Sequence, residues 1–254
     1  MTKIAVFDSG LGSLSVIDPI KRYCNYDIIY FADSENYPYG LKTRSQLRRI
    51  ISDTIKLLQE RFEPDLIIVG SNTPTLLLPE VISGSVIGVN PPLKEAAKKT
   101  KTKNVAILAT QATAKSKELN HYIDSQKLSQ KIKIHKIDSS KLVDLVETGR
   151  FLDDAEYCKM VINKVLYKVF SDNDIDVATL SSTHLPFLRK MLENQFPRVL
   201  FLDPAEMIVK KISKMTPNSQ EKKHSLRIFT SGDPKLFQKK LQRIGIKNRV
   251  NPLS

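Results

Sequence analysis

A chain of 254 residues that is 41% hydrophobic can bury a substantial core, and its length fits one large domain or two of ordinary size. No apolar run approaches the roughly 18–20 residues of a membrane span, and Met1-Thr-Lys-Ile-Ala-Val-Phe7 lacks the apolar stretch and cleavage site of a secretory signal, so the expected compartment is the cytoplasm. Lys plus Arg total 40 against 27 Asp plus Glu, a net charge of +13, but the lysines at 94–103, 209–214 and 235–240 lack interleaved stacking aromatics, which argues for a solvated basic surface over a nucleic-acid site.

Short β-rich runs alternate with helical patterns from end to end, the signature of parallel α/β units. Strands are expected at 4–8, 27–33, 65–70, 86–89, 104–110, 133–138, 176–182, 198–203 and 226–230. Between them Leu47, Ile50, Ile51, Ile55, Leu58 and Phe62 recur at helical spacing, as do Leu142, Leu145 and Val146, predicting helices that cover one face of a sheet. A further helix is expected to start at Asp153, capped by that residue, with Glu156 closing a capping box. Asn90-Pro91-Pro92 and Asp203-Pro204 interrupt regular structure and mark the boundaries. Residues 1–92 with 205–254 then form a first α/β domain and 93–204 a second. The polar run 216–225 reads as an exposed connection. Cys24 and Cys158 fall in different predicted helices and read as free core thiols, not as a disulfide.

A weak internal echo links the halves. A strand followed by a threonine-containing loop occurs at Ser71-Asn72-Thr73 and again at Ser182-Thr183-His184; a strand followed by a polar loop occurs at Asp8-Ser9-Gly10 and at Thr110-Gln111-Ala112-Thr113. Parallel sheets place such strand ends on one side, where open α/β folds bind ligands. The expected architecture is therefore two pseudosymmetric open parallel-sheet domains with an interdomain cleft. Asp8-Ser9-Gly10-Leu11-Gly12 could receive a carboxylate or phosphate on backbone amides, although alone it is equally a tight strand-to-helix turn and lacks the dinucleotide fingerprint. Pro38-Tyr39-Gly40 alone is a turn with a packed tyrosine. The chain has no Gly-x-Ser-x-Gly nucleophile elbow, and Ser182 and His184 are too close in sequence for their proximity to imply a triad. His-Glu-x-x-His, a cysteine cluster and a Walker motif are likewise absent from the sequence, which argues against metal or nucleotide chemistry.

Taken in order, Asp8-Ser9-Gly10, Tyr30-Phe31-Ala32-Asp33, Pro38-Tyr39-Gly40, Ser71-Asn72-Thr73, Ala109 to Thr113, Leu145 to Gly149, Ser182-Thr183-His184 and Thr230 to Asp233 resemble glutamate racemase, of the aspartate/glutamate racemase superfamily, over nearly the full chain. The resemblance implies interconversion of L- and D-glutamate, a peptidoglycan precursor, by two-base α-proton transfer, with neither cofactor nor metal. It assigns the two catalytic positions to Ser71 and Ser182, where the family carries cysteines. Asp8 matches a carboxylate assisting the first position; Glu147 and His184 match the acid/base partners of the second. Ser9, Pro38, Tyr39, Gly40, Asn72, Thr73, Thr113 and Thr183 match substrate-pocket positions. Each also has a structural reading: Asp8 as a helix cap, Glu147 as a solvated helix residue, His184 as a hydrogen-bonding residue at a helix start. Asn90-Pro91-Pro92 and Ser181 depart from the family pattern, where a more acidic segment and a glycine are usual.

A thiol titrates near pH 8.5 and can be tuned toward neutrality, whereas a serine hydroxyl is far less acidic, so both replacements weaken the expected acid/base pair. The expected ligand is a small acidic amino acid or dicarboxylate, and the family often forms homodimers. The alternatives are a noncatalytic binding protein for such a ligand and a related isomerase or lyase using the remaining acid/base groups.

Overall fold

The computed structural model describes residues 2–23, 26–216 and 225–253; Cys24 and nearly all of the polar run 216–225 lie outside them. In chain order the first elements are β1 (Lys3–Asp8), α1 (Leu14–Tyr23), β2 (Asp27–Ala32), α2 (Arg44–Phe62), β3 (Leu66–Val69), α3 (Asn72–Leu77) and β4 (Val86–Gly88). There follow α4 (Leu93–Lys99), β5 (Asn104–Ala109), α5 (Gln111–Ala114), α6 (Lys117–Ser125), β6 (Lys133–Asp138), α7 (Ser140–Glu147), α8 (Arg150–Asp153), α9 (Ala155–Asp172), β7 (Val177–Leu180), α10 (Arg189–Gln195) and β8 (Leu200–Leu202). The chain closes with α11 (Ala205–Met215), β9 (Ser225–Thr230), α12 (Pro234–Arg243) and β10 (Val250–Pro252). These elements divide into two compact units, Met1–Val89 with Ala205–Ser254, and Asn90–Pro204.

In the first unit six parallel strands run in the order β10-β9-β2-β1-β3-β4. Alternation sends Ala5, Phe7, Ile29, Phe31, Ile67 and Val69 to one face, where α2 covers them with Leu47, Ile51 and Leu58. Burying each such side chain contributes about 1.5–3 kcal/mol. Thr43 starts α2 with a full capping box, its hydroxyl accepting from the Gln46 N–H while Gln46 accepts from the Thr43 N–H at 2.9 Å. On the opposite face Tyr30 stacks with Phe237 of α12, ring centroids 6.3 Å apart.

In the second unit four parallel strands run β6-β5-β7-β8. Ala106, Leu108, Ala178 and Leu180 pack against Leu142, Leu145 and Val146 of α7 and Cys158, Ile162 and Leu166 of α9. Cys158 is a buried free thiol whose pKa burial pushes up. The order β6-β5-β7-β8 repeats β2-β1-β3-β4 element for element. In both units the chain leaves the first strand to one side, then crosses back to the other, so the switch point lies between β1 and β3 and between β5 and β7.

All nine expected strands form, with ends that differ from the expected bounds by at most two residues. Three expectations are corrected. The tenth strand, β10, pairs with β9 through Val250 and Ile228. Asp153 is the last residue of α8, and Asp154 caps α9 by accepting from the Tyr157 N–H at 3.0 Å. Thr216 is not exposed but buried against the Tyr26 hydroxyl at 2.7 Å.

Candidate functional site

Each unit gathers its sequence-predicted residues at the carboxyl ends of three neighbouring strands, where open parallel sheets bind ligands. The two sets share a register. The Gly70 N–H donates to Phe7 O at 2.8 Å and the Ser181 N–H to Leu108 O at 2.9 Å; the Asp33 N–H donates to Asp8 O at 2.8 Å and the Ser139 N–H to Ala109 O at 2.7 Å. Extending the pairings Phe7↔Val69 and Leu108↔Leu180 therefore makes Ser71 and Ser182 equivalent, each beside the residue that follows its unit's first strand end. Ser9 and Thr110 are those two residues.

In the first unit Asp8 and Ser9 are buried, and Asp8 Oδ1 accepts from the Ser9 N–H at 2.7 Å. Asp8 does not cap α1, which begins only at Leu14. Gly70 is required by close approach: a Cβ there would lie 2.3 Å from Ser13 Cβ and 3.1 Å from Phe7 O. Ser71 precedes α3 in extended conformation, and its hydroxyl does not cap the helix. The bend is instead clamped by Val89, the residue that follows β4. Thr75 Oγ1 donates to Ser71 O at 2.7 Å and accepts from the Val89 N–H at 3.1 Å, while Asn72 Nδ2 donates to Val89 O at 2.8 Å. Asn72 Oδ1 is left buried without a partner among the described residues, an acceptor whose isolation is costly unless a ligand donates to it. Thr73 is also buried.

The segment after β2 closes the third side. Asp33 accepts from Tyr39 Oη at 2.9 Å, from Asn36 Nδ2 at 2.8 Å and from Ser231 Oγ at 3.2 Å. Burial raises the Asp33 carboxyl above its ordinary value against the lowering effect of these bonds. Burial, then the neighbouring Asp33 and Asp8 carboxylates, push the Tyr39 phenol far up, so Tyr39 is a neutral donor whose hydroxyl is committed to Asp33. Pro38 and Gly40, partly exposed on either side, are the accessible part of that turn. Sequence reasoning did not single out Thr75, Asp33 or Ser231 as working parts of the site.

In the second unit Thr110 caps α5 by accepting from the Thr113 N–H, and its hydroxyl donates to Thr113 Oγ1 at 3.1 Å. Thr113 is fully buried, so it acts behind Thr110. Ser182, Thr183 and His184 follow β7 and are all buried. Ser181 fills the place of Gly70, its hydroxyl held by Thr179 Oγ1 at 2.8 Å. His184 Nε2 lies 3.1 Å from Glu147 Oε2, so Glu147 is not a solvated helix residue but one half of a buried pair. Asp144, one turn earlier on α7, has its carboxyl raised by burial and drawn back by the charge of His184. Thus Glu147 and His184 meet although they come from two segments, His184 standing two residues after Ser182, and Asp144 acts on His184 as a residue missed in the sequence.

A buried carboxylate at the end of β1 and a buried histidine–glutamate pair in the second unit are groups that can hold and move protons. Among the described residues no group of His, Cys, Asp and Glu is arranged to hold a metal ion, and no helix is long and apolar enough to cross a membrane.

The profile of the family described as Asp/Glu/Hydantoin racemase matches residues 6–212. A glutamate racemase of Clostridium botulinum is 31% identical over 248 residues, covering 92% of this chain and 94% of that protein. The crystal structure of glutamate racemase from Thermus thermophilus, in complex with beta-chloro-D-alanine, is similar with a TM-score of 0.84 at 27% identity, covering 100% of this chain and 97% of the other. That of Escherichia coli glutamate racemase, in complex with L-glutamate and the activator UDP-MurNAc-ala, gives 0.81 at 25% identity over 100% and 98%.

Proposed function

The chain belongs to the glutamate racemase family, and we propose that its reaction is the interconversion of L- and D-glutamate, slowed by hydroxyls at both proton-transfer positions. The proton-transfer positions are Ser71, with Asp8 as its assisting carboxylate, and Ser182, with Glu147 and His184 as its acid/base partners. The observation that carries this reading is their shared register: Ser71 and Ser182 occupy equivalent places past equivalent strands. L-glutamate bound to the Escherichia coli relative supports a small acidic amino acid as the ligand. Asn72 Oδ1 is the acceptor for the substrate ammonium, and the loops at Ser9, Gly40 and Thr73 of the same unit offer donors to a carboxylate. The chemistry needs neither metal nor cofactor, because the protein groups themselves remove and return the α-proton. The product would feed peptidoglycan precursors in the cytoplasm.

Rate is where the hydroxyls matter. Each pKa unit of mismatch between base and task is worth about 1.36 kcal/mol, or tenfold in rate. Replacing a thiol by a hydroxyl on both faces therefore removes most of the enhancement. Proton NMR of L- and D-glutamate in deuterated water tests the reading. Slow loss of the α-proton signal is expected for the protein as it stands, and loss faster by about a hundredfold or more for Ser71→Cys/Ser182→Cys. Silence from both proteins would overturn the assignment. Saturable glutamate binding with no exchange in either would leave a binding protein instead.

A further inference from the structure

The first unit carries a cavity of about 510 Å³ between α2 and the carboxyl ends of β2, β9 and β10, toward the β10 edge of the sheet. The carboxylates of Asp33, Glu35 and Asp53 line it, with Arg49 as the one cation among the described residues. This is a local surplus of negative charge on a chain whose net charge is +13. Glu35, Asp53 and Arg49 are exposed and make no ion pair among the described residues, whereas Arg44 and Arg48 on the same helix reach Glu80 at 3.3 and 3.8 Å. Arg49 and Asp53 stand one helical turn apart, where opposite charges commonly meet, and still do not pair.

Backbone bonds fix the side that carries Asp33 and Glu35. The Ser231 N–H donates to Ala32 O at 3.1 Å and the Leu253 N–H to Thr230 O at 2.9 Å. Ser231 Oγ in turn accepts from the Glu35 N–H at 3.1 Å and donates to Asp33 Oδ1 at 3.2 Å. Glu35 is thereby held within reach of Asp33: after burial, its charge is a further cause that raises the Asp33 carboxyl against its hydrogen bonds. The α2 side supplies a second polar group. The stripe that α2 buries is Leu47, Ile51, Thr54 and Leu58; its polar member, Thr54, is only 6% exposed, lines the cavity and makes no side-chain hydrogen bond among the described residues. A hydroxyl so enclosed is costly unless a ligand bonds to it. Phe31, Ile50, Leu57 and Leu253, all from the apolar cluster under α2, complete the lining.

We propose that this cavity binds an aliphatic diamine, one ammonium at Asp33 and Glu35, the other at Asp53 and Thr54, with the methylene chain on the apolar residues. The size falls in the range of small-molecule sites, about 300–1,000 Å³. An ammonium carries three donors and no acceptor, which matches carboxylates and a hydroxyl with free lone pairs. The three carboxylates do not form a group arranged to hold a metal ion, so separated cations suit them better than one point charge. A zwitterionic amino acid would need Arg49 for its carboxylate; three carboxylates against one guanidinium favour the dication. Neither Ser71 nor Ser182 takes part, so this site stands or falls apart from the racemase reading.

Isothermal titration calorimetry of the whole chain with putrescine and with butylamine tests the proposal. Saturable putrescine binding is expected, with butylamine weaker by about tenfold or more because it leaves one pole empty. Asp53→Asn should weaken putrescine by about tenfold or more, since a charge-assisted bond is lost, while leaving the circular dichroism and thermal midpoint unchanged. Arg49→Gln should tighten it by about twofold, because a nearby exposed cation is removed. Asp172→Asn on α9 should bind as the parent does. Absence of saturable putrescine binding would overturn the proposal, as would equal affinity for butylamine or equal weakening by Asp172→Asn. Weaker binding by Arg49→Gln would overturn it in favour of a zwitterion, and displacement of putrescine by equimolar magnesium chloride in favour of a point cation.

Discussion

Glu147 Oε2 and His184 Nε2 meet at 3.1 Å with side chains only 10% and 6% exposed. One arises from the last turn of α7, the other from the loop after β7. A contact so enclosed gains strength from its low-dielectric surroundings, and the same enclosure makes its removal expensive. His184 stands two residues after Ser182, so the pair anchors the loop that carries that hydroxyl.

Glu147→Leu removes the acceptor and leaves His184 Nε2 without this bond in a buried place, which should destabilise the protein by about 1–3 kcal/mol. Glu147→Gln keeps an acceptor oxygen in nearly the same position and should cost less than about 1 kcal/mol. Urea unfolding of the three proteins at one pH measures both differences. Equal midpoints for the Leu and Gln variants would mean that the bond contributes nothing to the fold.

Thr75 is the corresponding device in the first unit. Its hydroxyl bridges Ser71 O and the Val89 N–H, and it is packed so closely that a Cβ on Gly88 would lie 2.4 Å from its methyl. Thr75→Val preserves shape but abandons both backbone groups, with an expected loss of about 1–3 kcal/mol. Thr75→Ser keeps the bridge and should recover most of the backbone bonding, giving up only the methyl contact. In the Ser71→Cys/Ser182→Cys background, adding Thr75→Val should lower exchange more than its effect on glutamate binding explains, because it shifts residue 71, the position proposed to act on the α-proton. A parallel fall in binding and exchange would reduce Thr75 to a packing role.

Much of this was legible in the sequence because the signals are local. Buried strands such as 66–69 and 105–109 are continuous apolar runs, and the helical spacing of Leu47, Ile51 and Leu58 specifies the face that α2 buries. β10 was not legible, since Val250-Asn-Pro252 is three residues with no alternation, and its pairing is set by the neighbouring β9. The cap shifted from Asp153 to Asp154 because adjacent aspartates offer the same chemistry, and only the geometry after α8 chooses between them. The positions Ser71 and Ser182 were visible as strand ends. What holds them was harder to see: the Val89 clamp and the Glu147–His184 pair join residues 14 and 37 apart in sequence. Thr75 did leave a sign, since a threonine one helical turn after Ser71 can bond back to its carbonyl.

Asp33 provides a titration with a definite sign. Burial raises its carboxyl in the folded protein above the unfolded value of about 3.9. Between those two pKa values the folded state binds more protons than the unfolded, so stability falls as pH rises through the window. Below the unfolded value the penalty is absent; above the folded value it is complete. Asp33→Asn cannot titrate; its one amide oxygen still accepts from either Tyr39 or Ser231, and its NH2 donates to the hydroxyl facing the other position. The stability of the parent relative to Asp33→Asn should therefore be greatest at the acid end and decline with rising pH until it levels off. Paired urea titrations from about pH 3.5 upward, at about half-unit steps across this window, measure it. A difference that grows with pH would mean that the carboxylate's hydrogen bonds outweigh its burial.

The two hydroxyl positions can be separated by restoring one thiol at a time. In a two-base reaction each group removes the α-proton from only one face, so Ser71→Cys and Ser182→Cys should not rescue the same half-reaction. Each single variant is expected to wash deuterium into one enantiomer of glutamate faster than into the other, with opposite preferences, and to interconvert the enantiomers more slowly than the double variant. The order of magnitude is set by the partner that remains a hydroxyl: about tenfold per pKa unit of mismatch in the second proton transfer. Raising the pH toward the thiol's ordinary range near about 8.5 should accelerate wash-in by each single variant, because the thiolate is the base. Parallel NMR time courses on L- and D-glutamate read both preferences directly. If the two variants favoured the same enantiomer, Ser71 and Ser182 would not address opposite faces of the α-carbon, and the two-base assignment would give way to catalysis from one unit, with Glu147 and His184 or Asp8 supplying the second proton.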